Sequence, residues 1–202
     1  MIRDLIQKNR SYRRFDSSVE ITEKQLLKWV DLARLSASAR NMQPLKYALV
    51  VEPDDCANIF PQLGWAGYLS DWKGPEEGER PVAYIVVLKD HSLADNHYCD
   101  DGIAMQSILL GAVEDGFGGC MIGSVNKRKV ARILNLSENL EILWVIALGK
   151  PQEKVVLEKS DGDIKYWRDR AGIHHVPKRP IDEVIVDFST TQTHGKKKED
   201  DN

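Results

Sequence analysis

The segment Asp101–Asp115 constrains this chain more than any other, because its apolar residues leave no polar stripe. Ile103, Ala104, Met105, Ile108, Leu109, Leu110, Ala112 and Val113 point all round a helix. Such a helix needs apolar partners on several sides, in a core or at a subunit interface. The fold must therefore wrap helices or sheet around it, and Gly116–Gly119 ends it. The 42% of hydrophobic residues supply enough material for that core.

The elements on either side follow from periodicity. Ile2–Lys8 reads as a short amphipathic helix. Thr22 and Gln25 form a capping box before a helix with Leu26, Val30 and Ala33 on one face. Lys46–Glu52 and Pro81–Lys89 read as strands rich in β-branched and aromatic residues. The stretch between them, with Trp65, Tyr68 and Trp72, reads as a long irregular functional loop. Asn126–Leu134 reads as a helix, Leu143–Leu148 as a buried strand ended by Gly149 and Pro151, and Asp182–Phe188 as a last strand. Helices and strands interleave without a regular β-α-β beat, so the expected class is α+β, a mixed sheet flanked by helices. One domain is expected over residues 1–189, with a disordered charged tail over 190–202.

Charge and cysteines narrow the function. A net charge of -3 argues against wholesale binding to nucleic acid or an anionic membrane. No apolar run reaches the roughly 18 residues a membrane span needs, and the N-terminus lacks a signal peptide's pattern. Cys56, Cys99 and Cys120 are odd in number and widely spaced, which fits a reducing cytoplasm better than a disulfide framework.

Four segments could carry chemistry. Asn9-Arg10-Ser11-Tyr12-Arg13-Arg14 offers guanidinium forks and a hydroxyl to a phosphate, or is a solvated basic turn. Ser36–Pro44 offers small residues that admit a flat ring, with amides at Asn41 and Gln43, or is a polar helix-to-strand connection. Gly116–Ser124 fits neither GxGxxG nor the P-loop. It is a glycine-permissive loop against a ligand, or a helix cap and turn. Val176–Pro180 presents Lys178 and Arg179 on stiffened backbone, or is a surface turn. His174-His175 makes a poor metal site, since neighbours on an extended chain point to opposite faces. Asp100-Asp101 reads as a helix N-terminal acid pair.

Taken in order, RSYRRF, SASARNMQP, GGCMIGS, ALGKP and VPKRP-IDEV resemble the FMN-dependent nitroreductase family over residues 2–188. The resemblance implies an intertwined homodimer with flavin sites at the subunit interface and an exchanged C-terminal strand. It assigns Arg10, Ser11 and Arg13 to the FMN phosphate and pyrimidine edge, with Asn9 standing where the family commonly has Arg. Ala37, Ser38, Asn41, Gln43 and Pro44 match the family's Pro-Ser-x-x-Asn-x-Gln-Pro segment, Ala37 replacing its proline. The loop matching Cys120, Met121, Ile122 and Gly123 packs against the flavin in the family. Lys178 and Arg179 match its C-terminal basic pair, Lys178 aligning better with the phosphate ligand. Trp65, Tyr68 and Trp72 are candidates for the substrate pocket.

The implied activity is electron transfer from NADH or NADPH through FMN to a small organic acceptor such as a nitroaromatic or quinone. The chemistry resides in the flavin, so no catalytic side chain and no metal are expected. Alternatives are a relative acting on alkenes or halogenated aromatics, and a flavin-binding sensor or storage protein with little turnover.

Overall fold

The computed structural model describes residues 1–186, which form two compact units, Met1–Lys154 and the segment from Val155 onward. The expected charged tail over 190–202 lies outside the described residues.

In the first unit, β1 (Phe15–Asp16), β2 (Leu45–Val50), β3 (Ala83–Asp90), β4 (Gly118–Ile122) and β5 (Leu140–Pro151) build one sheet. Its path runs β1-β5-β3-β2, and β4 also joins β5; every pairing is antiparallel. All eight residues of β3 are buried, which places this strand between two layers of helix. Strand side chains alternate, so β3 divides its residues between two cores. Ala83, Ile85 and Val87 meet Leu26, Trp29, Met105 and Ile108, from α2 (Glu23–Leu35) and α4 (Asp100–Glu114). Tyr84, Val86 and Leu88 meet Cys56, Ile59 and Val130, from α3 (Pro53–Ile59) and α5 (Lys127–Ile133). The first helix, α1 (Ile2–Lys8), leads into the basic segment and contacts α4.

The capping box forms as expected, the Thr22 hydroxyl accepting from the Gln25 amide and Gln25 reaching back to the Thr22 amide. The buried face of α2 is Leu26, Trp29 and Ala33, whereas Val30 is only partly buried. Trp29 takes the position at i+3 from Leu26 because its indole N–H donates to Asp115 at 2.9 Å. Gly111 allows the two helices to close: a Cβ there would lie 2.5 Å from Leu32.

Several expectations need correction. The stretch after β2 opens with a helix, α3, where Pro53 pre-sets the first turn and Asp54 and Asp55 favour the helix N-terminus. Gly118–Ile122 is a strand, not a loop, since the edge of β5 offers it a full ladder. Strand β5 runs through Gly149 to Pro151, past the expected stop. In the second unit, β6 (Val155–Lys159), β7 (Trp167–Arg168) and β8 (His174–Lys178) form a separate sheet in the order β6-β8-β7. Val176, Pro177 and Lys178 therefore lie in a strand, not in a turn. Pro177 fits because β8 pairs with β6 in parallel, where not every residue donates to the ladder. Asp182–Val184, expected to start a strand, instead belong to a short helix, α6 (Ile181–Val184), with Asp182 and Glu183 in its first turn after Pro180. Residues 187 and 188 of that expected strand lie outside the described residues.

Candidate functional site

The first and third candidate segments meet. Leaving α1, the chain runs beside β4: Ser11 forms a parallel bridge with Gly119, and the Tyr12 amide donates to the Gly119 carbonyl at 3.0 Å. The glycines make this approach possible. A Cβ at Gly118 would lie 2.6 Å from the Tyr12 ring, and one at Gly119 would lie 2.5 Å from the Ala147 carbonyl oxygen. Gly118 and Gly119 thus admit neighbouring protein in a strand, which is neither a ligand-facing loop nor a helix cap and turn. The Cys120 thiol is buried beside Ser11 and Arg13. Burial pushes it up, and Arg13 offsets only part of that, so it remains a protonated thiol.

Arg10 is half-buried. Its Nη2 donates to the Ile6 carbonyl at 2.6 Å, while its Nε is buried with no partner among the described residues. Burial also lowers the guanidinium's pKa. A buried N–H without an acceptor is costly, and an anionic ligand is the natural way to satisfy it. Arg13 donates from Nη1 to the Ser11 carbonyl at 3.3 Å, and its backbone amide donates to Glu153. Asn9 is tied to α4 through Gln106 at 3.3 Å.

The second segment is fastened to α4. The Ser38 hydroxyl donates to Asp100 Oδ2 at 2.6 Å and accepts from the Gln43 amide at 2.9 Å. The Ala39 amide donates to the other Asp100 oxygen at 3.0 Å, and the hydroxyls of Ser36 and Ser107 meet at 2.7 Å. Asp100 is thus an acid at a helix N-terminus, as read from sequence, and also the clamp of this loop. Between these anchors the backbone is strained. Arg40, Asn41 and Gln43 take φ of 53°, 56° and 49°, a region that costs a non-glycine residue about 1–2 kcal/mol. The buried Asp100 carboxylate holds this strained backbone in place. A cavity of about 230 Å³ lies there, lined by Arg34, Ala37, Ser38, Gln43, Tyr47 and Asp100 among others.

The sequence marks Asp100 as a helix-start acid but not as a loop clamp, and it does not single out Tyr47. Burial pushes the Tyr47 hydroxyl up to about 12, and the Asp100 charge adds to the shift. Strand alternation could have placed Tyr47, but nothing in the sequence shows which acid of a helix N-terminus turns towards a loop.

The remaining candidates lie on other elements. Met121 and Ile122 end β4, and Gly123 packs against Trp144. The aromatic loop is pinned beside them, since Leu63 bridges Val125 and the Gly64 amide donates to Ser124 at 2.7 Å. Trp65 packs on Phe60 with ring centroids 5.7 Å apart, while Tyr68 is 55% exposed; Trp72 lies further along, partly buried. Lys178 ends β8, opposite Lys159 in the second unit, and Arg179 reaches Glu183 at 3.5 Å. The two histidines do face opposite ways: His174 is buried near Tyr166, and His175 stacks on Trp167 at 4.0 Å. Among the described residues no three His, Cys, Asp or Glu side chains gather as a metal site, and no helix is long and apolar enough to cross a membrane.

The fold and a central segment of the chain resemble those of known proteins. The family model described as "Nitroreductase family" matches residues 77–150. A Bacillus subtilis (strain 168) protein named "Putative NAD(P)H nitroreductase YodC" is 21% identical, the match covering 73% of this chain and 88% of that protein. A nitroreductase family protein from Clostridium novyi NT superposes with a TM-score of 0.63 at 25% identity, over 75% of this chain and 87% of its own. An FMN-dependent nitroreductase from Clostridium difficile R20291 superposes with a TM-score of 0.60 at 21% identity, over 81% and 92%. The chain is thus an α+β protein whose fold resembles these nitroreductase structures and whose residues 77–150 match the family model.

Proposed function

We propose that this chain is an FMN-dependent NAD(P)H oxidoreductase that reduces small organic acceptors such as nitroaromatics or quinones in a ping-pong cycle. The observation that carries the reading is the Arg10–Arg13 segment laid along β4 with the buried Arg10 Nε–H lacking an acceptor. The names of YodC, with NAD(P)H, and of the C. difficile structure, with FMN, support the donor and the cofactor.

When bound, FMN would supply the redox chemistry, two-electron exchange between a nicotinamide donor and an organic acceptor. The protein's part is to bind and orient. Arg10, Ser11 and Arg13 would hold the phosphate and the pyrimidine edge, and the family resemblance offers Lys178 and Arg179 as further phosphate ligands. Each charge-assisted hydrogen bond is worth about 1.5–3 kcal/mol, enough for two or three to retain the cofactor without a covalent link. Asn41 and Gln43 would offer their amides to ring heteroatoms. The Ser38 hydroxyl, already spent on Asp100 and the Gln43 amide, would set the shape of that loop. Ala37 and Met121–Gly123 would line the ring, and Trp65, Tyr68 and Trp72 the acceptor's approach.

The reading includes a homodimer with an exchanged C-terminal segment. Ile2 and Ile6 on α1, Leu27 and Leu35 on α2, and Ile103 on α4 are all exposed, and exposed apolar residues on adjoining helices favour a subunit contact. It also includes a catalytic body over residues 1–189 and a reducing cytoplasm, where the free Cys56, Cys99 and Cys120 would persist.

The test is direct. Purified protein should show bound-flavin absorbance, bleach on anaerobic mixing with NADH or NADPH, and recover its colour with a nitroaromatic or quinone. Protein that neither carries nor takes up FMN would end the proposal, and a flavin that stays oxidised would reduce it to a binding protein.

A further inference from the structure

We propose that the first unit holds a second small-molecule site, for an aromatic monocarboxylate, in the cavity of about 480 Å³ between the starts of α2 and α3. Its volume falls within the range of ligand pockets, roughly 300–1,000 Å³. None of the residues assigned to the flavin lines it.

The polar end is built from Tyr84 and Arg80. Tyr84 is fully buried on β3 and lines the cavity, yet its hydroxyl has no hydrogen-bond partner among the described residues. Its electrostatic neighbours are Cys56 and Arg80, which line the same cavity. Arg80 rests over the Phe60 ring at 4.4 Å, which leaves the guanidinium edge free to donate to a carboxylate. No ion pair occupies Arg80 among the described residues. The Cys56 thiol, pushed up to about 11 by burial, stays neutral and puts no negative charge beside the incoming one.

The rest of the lining defines the ligand's body and charge. Ile21, Ala57, Phe60 and Val82 give apolar walls that suit a flat ring. Glu20 and Glu52 also line the cavity, and their charges disfavour phosphates and dicarboxylates, so a single carboxylate fits best. It would accept from the Tyr84 hydroxyl and the Arg80 guanidinium together.

The experiment titrates benzoate into FMN-loaded protein by calorimetry, using the parent chain and Tyr84→Phe, Arg80→Leu and Ala57→Phe. Saturable binding is expected in the parent, weakened about 10-fold or more in Tyr84→Phe and Arg80→Leu, as for a lost charge-assisted hydrogen bond. Ala57→Phe, which fills the cavity, should abolish it. The flavin spectrum should stay unchanged throughout, since benzoate stacked on the flavin would perturb it. Binding that survives Tyr84→Phe and Ala57→Phe would overturn the proposal, as would no saturation up to about 20 mM.

Discussion

Arg10 keeps one nitrogen on the Ile6 carbonyl and leaves another buried without an acceptor, so its removal should cost the ligand more than the fold. Arg10→Ala and Lys178→Ala should each fold and weaken FMN about 10-fold or more, measured by flavin fluorescence on reconstitution. Unchanged affinity in both would remove them from the site. Asp100 is the opposite case. Its carboxylate holds Ser38 and Ala39, so Asp100→Ala strands two polar groups and releases a strained loop. A loss of about 2–4 kcal/mol is expected in urea unfolding, together with weaker FMN. The two differ in how far the sequence marks them. Arg10 is a candidate because guanidinium groups cluster beside it and the order of segments resembles a known family. Asp100 is not, because an acid at a helix start looks the same whether it faces water or a loop.

Elements depend on how closely they can approach. β4 pairs with β5 on one side and lies beside the Ser11–Tyr12 segment on the other, and Gly119→Ala would press a methyl group into the Ala147 carbonyl. Overpacking of that kind costs about 1–3 kcal/mol, and it would move Ser11 as well, so thermal stability and flavin retention should fall together. The α2–α4 contact brings a pH dependence. Asp115 is held below the usual carboxylate range, first by the Lys28 hydrogen bond and then by that of Trp29. Its folded pKa lies under the unfolded value of about 3.9, so its contribution is present above that pH and is lost as pH falls through the folded pKa. Asp115→Asn should therefore be less stable than the parent at neutral pH. The gap should narrow below about pH 4 in denaturant titrations; a constant gap would mean the charge is not responsible.

For the whole molecule, the apolar helix α4 set the architecture: most of its faces are buried, yet Ile103 remains 38% exposed. With Leu27 and Leu35 exposed on α2, this favours a second copy as the cover. Light scattering should give about twice the 22.9 kDa of one chain, and Leu27→Glu with Leu35→Glu should shift it towards monomer and lower FMN retention. A chain that is monomeric yet fully loaded with flavin would show that the site needs no partner.

Local pattern alone determined the capping box, the interleaved helices and strands, the helix apolar almost all round and the basic segment after α1, because each follows from side chains a few residues apart. Tertiary structure alone decided the rest. It made a glycine run into a strand, since β5 had an open edge, and turned Pro53–Ile59 into a helix packed under β3. It also set Asp100 beneath Ser38 and left Tyr84 facing a cavity. These outcomes hinge on which distant groups come to lie side by side, and spacing along the chain carries no record of that.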